Sequence, residues 1–230
     1  MGQAGRGVMS PLAIAVLALL DERPMHPYEM YQMLVARRED LLIKVRPGSL
    51  YHAVARLADD AMVAAEGTER AGNRPERTTY RITEAGRDAL RGRIAELLGT
   101  PVREYPIFRL ALAEAHSLPR EQVVALLGER LGHLASELAD LDALLDWTVQ
   151  QAMPRRYCLV LEYIRTTLHA EFTWIEQFAA ELGSGAVEWE EFDPVTGERI
   201  VACDSTEHDW PSREPPAAPR PRWAGSPVRG

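Results

Sequence analysis

The chain has 230 residues, 46% of them hydrophobic, and a formal net charge of −8, enough apolar content to bury an ordinary core in one large or two small domains. Its longest apolar run, residues 12–20, falls short of the roughly 20 residues that cross a bilayer, and Asp21, Glu22 and Arg23 follow it at once where a signal peptide would carry a small-residue cleavage site. Two distant cysteines, Cys158 and Cys203, make neither a disulfide framework nor a metal-ligand spacing, so a soluble protein of the reducing cytoplasm is expected.

Residues 1–9 hold three glycines and no apolar pattern, and are expected to be disordered. Ser10-Pro11 then opens a first helix to about Leu20, the serine supplying a cap and the proline fitting the first turn. Asp21 to Pro24 breaks it. His26-Pro27-Tyr28-Glu29 opens a second helix, in which Tyr28, Met30/Tyr31, Leu34 and Val35 recur at helical spacing.

A third helix starts at Pro47 or Gly48. Steps of about 100° place Leu50, Ala53, Val54 and Leu57 on a buried side and Ser49, His52 and Arg56 opposite, with Tyr51 on the flank. That outer side has no acid before Asp59, the complement wanted against phosphates and base edges. Tyr51 either reaches a phosphate or packs at the rim of the core; His52 and Arg56 either contact DNA or are simply solvated. Met62 to Glu66 reads as a strand, Gly67 to Arg77 as a loop, and Thr78 to Ile82 as the return strand. Arg70, Arg74 and Arg77 share the loop with Glu69 and Glu76, so its bland reading is a solvated loop of mixed charge. Thr83 caps a fourth helix reaching Leu97 or Leu98, and Gly99-Thr100-Pro101 ends the domain.

The rest reads as helical. A short helix covers Ile107 to His116. From Pro119 a long one carries Leu127, Leu131, Leu134, Leu138, Leu141 and Leu145 in alternating steps of four and three, a coiled-coil seam. A last helix, from about Pro154 to Leu182, aligns Ile164, Leu168, Ile175 and Phe178. With so little else to cover them, these two faces are expected to meet a second copy of the chain. Val187 to Phe192 and Glu198 to Ala202 could pair as a hairpin around Asp193 to Gly197, and the proline- and arginine-rich stretch from Asp209 is expected to be disordered. The organisation expected is therefore mainly α: residues 10–100 a winged helix-turn-helix, 101–182 a helical dimerisation domain, and 183–230 a tail.

Charge follows the same division. Residues 1–100 carry +1, residues 101–182 carry −5 and residues 183–230 carry −4. DNA binding would then depend on a local stripe of Lys44, Arg46, Arg56, Arg70, Arg74 and Arg77, while the remaining field opposes indiscriminate adsorption.

Read in order, the first hundred residues resemble the PadR family of bacterial winged-helix transcriptional regulators. The resemblance lies in Leu17-Ala18-Leu19-Leu20, His26-Pro27-Tyr28-Glu29, Pro47-Gly48-Ser49-Leu50-Tyr51, Arg56-Leu57 and Tyr80-Arg81-Ile82-Thr83-Glu84-Ala85-Gly86. Pro27 stands where the family pattern usually has glycine. The resemblance implies a homodimer on an inverted repeat in a promoter, commonly a repressor, released by a small aromatic effector. It places Ser49, Tyr51 and His52 at the major groove of double-stranded DNA and residues 67–77 in the wing. Trp147 and Trp174 would line an aromatic ligand slot, although packing is the commoner use of a helical tryptophan. No cofactor is expected. His133 and Glu137, one turn apart, have no second paired spacing to make a metal site with His116 or His169, and no nucleophile-elbow, zinc-protease or phosphate-loop motif occurs. The competing reading is a winged-helix protein-interaction module without a DNA role, favoured by the overall charge and the acids of the wing.

Overall fold

A computed structural model describes residues 9–69, 77–193 and 195–200. They form two compact units that part between Arg103 and Glu104. The N-terminal unit is built on α1 (Pro11–Glu22), capped by Ser10, whose Oγ accepts from the Ala13 amide at 3.2 Å. Val16, Leu17, Leu19 and Leu20 are buried, so α1 is the central helix on which α3, α4 and the sheet pack. It runs two residues past the expected end. Asp21 and Glu22 stay in its last turn, where Asp21 accepts from Arg87 at 2.9 Å and Glu22 from Arg37 at 2.8 Å.

Helix α2 (Pro27–Ala36) is capped by His26, and a 3-10 turn at Glu39–Leu41, entered through Arg38 in the left-handed region, leads toward α3 (Pro47–Asp59). That turn was not legible in the sequence. Half-burial of Glu39 there, opposed by Arg37 and reinforced by Glu22, holds its carboxyl above the usual range. An acid with a raised folded value contributes stability that is present below its unfolded value and lost as pH rises through the folded one. Glu39→Gln should therefore raise the thermal midpoint at about pH 7 and leave it unchanged near pH 3, a contrast that melting curves at the two pH values will test.

Strands β1 (Val63–Glu69) and β2 (Arg77–Ile82) pair antiparallel, Val63 opposite Ile82 and Glu69 opposite Arg77. The first strand is longer than expected: Gly67, Thr68 and Glu69, read as loop, lie in the ladder, and an irregularity between Ala65 and Gly67 leaves Glu66 without an opposite number. Arg70 and Arg74 lie outside the described residues, as do residues 1–8 and 201–230. Met25 adds a further rung, exchanging two backbone hydrogen bonds of 3.0 Å with Tyr80.

Helix α4 (Glu84–Gly99) is capped by Thr83, whose Oγ1 accepts from the Gly86 amide at 3.1 Å and donates toward the carbonyls of Ala61 and Met62 at 2.8 and 3.0 Å. This brings the first turn of α4 hard against the α3–β1 turn. A Cβ on Gly86 would lie 2.2 Å from the Met62 carbonyl oxygen and 2.9 Å from Ile82 Cγ1.

In the C-terminal unit, α5 (Ile107–Ala113) ends in a 3-10 turn at Ala115–Ser117, three residues sooner than expected; α6 (Arg120–Gln150) and α7 (Leu159–Ser184) follow. The last helix starts at Leu159 and not near Pro154, because Arg155–Tyr157 first forms a 3-10 turn. Ion pairs of Arg130 with Glu171 and Arg165 with Asp142 set α6 and α7 antiparallel, and the Arg130 guanidinium lies 3.7 Å over the Phe108 ring of α5.

The leucine seam differs from expectation in its partner. Leu127, Leu134 and Ile175 are buried in a core with Val123 and Leu182, and Leu131, Leu168 and Phe178 pack half-buried around it. Leu141 is also buried, while Leu138, Leu145 and Ile164 are half-buried. Leu127, Leu134 and Ile175, with Leu131, Leu168 and Phe178 around them, serve the packing of α6 on α7 within one chain, so this stretch of the seam is already partnered.

Past α7, Gly185 in the left-handed region (φ 77°) turns the chain back, its amide donating to the Leu182 carbonyl and that of Ala186 to Glu181. Trp189 Nε1 then donates to the Leu118 carbonyl at 2.8 Å. The expected hairpin reduces, among the described residues, to a single bridge between Phe192 and Arg199 around a turn in which Asp193 accepts from the amides of Val195 and Thr196. No described helix is long and apolar enough to cross a membrane.

Candidate nucleic-acid interface

Helix α3 buries Leu50, Ala53, Val54 and Leu57 and thereby turns Ser49, Tyr51, His52 and Arg56 outward. Tyr51 keeps 46% of its surface exposed. Lys44 and Arg46, on the segment entering α3, are exposed as well. Pro47 occupies the first helical position, so the helix begins with no side chain bonded to its opening amides. These amides and the cations beside them face the same solvent.

The cations of this face differ from most others in the unit. Arg23 pairs with Glu29, Arg37 with Glu22, Arg87 with Asp21 and Glu84, and Arg93 with Glu96. The side chains of Lys44, Arg46 and Arg56 make no salt bridge or hydrogen bond to any described residue. A guanidinium already in a bidentate or paired geometry must give up that partner to meet a phosphate, whereas an unpaired one loses only water.

Strands β1 and β2, which carry the wing, follow α3 in the chain, and β1 packs on α3. Of its three candidate arginines, Arg77 begins β2, and the other two lie outside the described residues. Sequence reasoning passed over Arg81, which is exposed on β2 next to buried Ile82 and has no described ion-pair partner. Its signal was available: alternation along Tyr80-Arg81-Ile82 puts the arginine on the outer face of the sheet. His26 was also missed as a member of the site; its ring meets that of Tyr51 edge-on, with centroids 6.3 Å apart.

The two tryptophans expected to share a ligand slot are not brought together within the chain. Trp147 is exposed near the end of α6, and Trp174 on α7 stacks on Phe178 at 5.2 Å. The antiparallel register fixed by the Arg130–Glu171 and Arg165–Asp142 pairs separates them along the helix pair by roughly 20 Å at 1.5 Å per residue. A cleft of about 810 Å³ lies in the N-terminal unit among α1, α3 and α4, lined by small residues such as Ala53 and Ala89 and by charges of both signs, and neither tryptophan borders it.

Three helices, a two-stranded wing and a fourth helix packed on the first define a winged helix-turn-helix. Residues 16–92, within the N-terminal unit, match the model of the "Transcriptional regulator PadR-like family". No curated protein sequence matches the chain. Among solved structures, the chain is similar to Bacillus subtilis PadR in complex with operator DNA, at 20% identity and a TM-score of 0.65 over 76% of this chain and 98% of that one. It is also similar to Bacillus subtilis PadR in complex with p-coumaric acid (19% identity, TM-score 0.60, 76% and 98% covered). The Vibrio cholerae virulence activator AphA matches at 18% identity and a TM-score of 0.59, over 75% of this chain and 98% of its own. At these identities the likeness is one of fold. It covers more of the chain than the winged helix alone, and so takes in helical structure beyond residue 92.

Proposed function

We propose that the protein is a sequence-specific DNA-binding transcriptional regulator, a repressor that acts in the cytoplasm as a homodimer on a palindromic operator and is released by a small aromatic effector. The observation that carries the DNA reading is the outer face of α3: exposed Ser49, Tyr51, His52 and Arg56, with Lys44 and Arg46 beside them, no acid on the helix before Asp59 and no side-chain ion pair of these cations to a described residue. The wing arginines, Arg70, Arg74 and Arg77, would reach the flanking backbone, with Arg81 beside them. Regulators of the same fold bound to operator DNA and to an aromatic acid support the reading.

Dimerisation is supported by apolar side chains that the C-terminal unit leaves in solvent. Ile107 is 77% and Tyr163 69% exposed, with Leu110, Trp147 and Leu159 also uncovered; these are apolar groups of the unit open to a partner. These residues replace the leucine seam as the proposed contact between copies. Two-fold symmetry would set the recognition helices about 34 Å apart, one turn of DNA, or a multiple of that. Trp147 and Trp174 remain the aromatic groups open to an effector, well separated along the helix pair.

The test is recovery of genomic fragments by the purified protein, followed by binding over a range of salt. A shared inverted repeat is expected, with log affinity falling linearly in log salt at about −0.9 per phosphate neutralised. The Tyr51→Ala, Arg74→Ala double variant should stay folded and dimeric and lose protection of that site at moderate salt. Fragments without a common motif, and no retention on a DNA column at low salt, would favour a protein-interaction module instead.

A further inference from the structure

Two adjacent residues in the α1–α2 connection link β2, α2 and α3. Met25, buried, is tied by its backbone to Tyr80 of β2 through two hydrogen bonds of 3.0 Å. His26 follows it as the cap of α2: its Nδ1 accepts from the Tyr28 amide at 3.1 Å, and its carbonyl accepts from the amides of Glu29 and Met30. The same imidazole lies edge-to-face against Tyr51 of α3, the ring planes 74° apart. Its position is thus fixed through the backbone by the wing and through Nδ1 by α2.

Capping alone does not call for histidine. Asn, Asp and Ser are the stronger caps because a short side-chain oxygen reaches the open amides with little loss of freedom. What histidine adds here is a ring against Tyr51. A half-exposed tyrosine on a helix surface otherwise moves among staggered rotamers and loses that freedom when it binds. Resting on the DNA reading above, we infer that His26 is a positioning residue: its ring holds Tyr51 in the orientation that meets the duplex, and through Met25 it keys that orientation to the wing.

His26→Asn separates the two roles, since asparagine keeps the cap and removes the ring. The thermal midpoint should stay at the wild-type value. Affinity for the fragment recovered by genomic selection should fall about three- to tenfold, the worth of ordering one such side chain in advance, while affinity for a random-sequence duplex of the same length, carried by phosphate contacts, should not change. In a Tyr51→Ala background the same replacement should have no further effect. Wild-type affinity of His26→Asn for the selected fragment, or an undiminished loss in the Tyr51→Ala background, overturns the inference. A readout without DNA guards against a folding defect: 3-fluorotyrosine placed at Tyr51 should change its fluorine resonance in His26→Asn, and an unchanged resonance overturns the contact itself. Failure of the DNA reading shows separately, as wild-type protein that binds neither duplex.

Discussion

Gly86→Ala should destabilise the N-terminal unit by about 3 kcal/mol, the upper end of the usual cost of inserting a group into a packed site. The added methyl would sit 2.2 Å from the Met62 carbonyl oxygen, well inside van der Waals contact. Neither side can move cheaply. The Met62 carbonyl already accepts from the Thr83 amide and hydroxyl, each at 3.0 Å, and those bonds anchor the start of α4. At the 4–8 °C per kcal/mol typical of a domain this size, the midpoint should drop by roughly 12–24 °C. Gly92 lies on the same helix with open space around its Cβ position, so Gly92→Ala should instead be neutral or gain up to about 1 kcal/mol from helix propensity. Thermal unfolding followed by circular dichroism measures both. Equal melting of the two variants would mean that α4 does not dock as described.

Ile175→Ala should cost the C-terminal unit about 2–5 kcal/mol, the range for deleting most of a buried aliphatic side chain. Ile175 is fully buried among Leu127, Leu134 and Leu182, all in its own chain. The loss should therefore be the same across about a hundredfold range of protein concentration, since an intrachain contact is not subject to mass action. Tyr163→Ser is the contrast, because Tyr163 is exposed on α7. It should leave the packing of the helix pair intact and weaken association of copies, visible by sedimentation. Unfolding of Ile175→Ala that worsens on dilution would return the leucine seam to an interface between chains.

The sequence predicts local period well and partnership poorly. The buried side of α3 was legible because Leu50, Ala53, Val54 and Leu57 repeat at helical spacing and a single small domain has one core to face. Leu127 to Leu145 repeat as clearly, yet a heptad states only that a helix must lie opposite. Whether that helix is α7 of the same chain or a second copy is a question of connection length, which the short link between Gln150 and Leu159 answers. Gly67 marks a strand end in the sequence because glycine is disfavoured in strands, and cross-strand pairing of Gly67 and Thr68 with Thr79 and Thr78 overrides that preference. His26 was legible as a helix start but not as a neighbour of Tyr51, a contact that spans 25 positions and depends on how α2 and α3 pack. The amphipathic run from Pro154 misled for a local reason: proline suits a first helical turn, and a 3-10 turn satisfied the same geometry.

The unpaired residue in β1 has a consequence for how the wing can vary. Beyond the Ala65/Gly67 irregularity the strand continues in a register displaced by one position from that at its base. Side chains on opposite faces of a strand exchange places with every single-residue displacement, so Glu66 acts as a phase setter for everything distal to it. Residues added or removed at the tip in matched pairs would lengthen or shorten the wing without changing which groups look outward. Losing the unpaired residue itself would keep Gly67 opposite Thr79 and leave a plain ladder, without the local bend and added twist that the irregularity supplies.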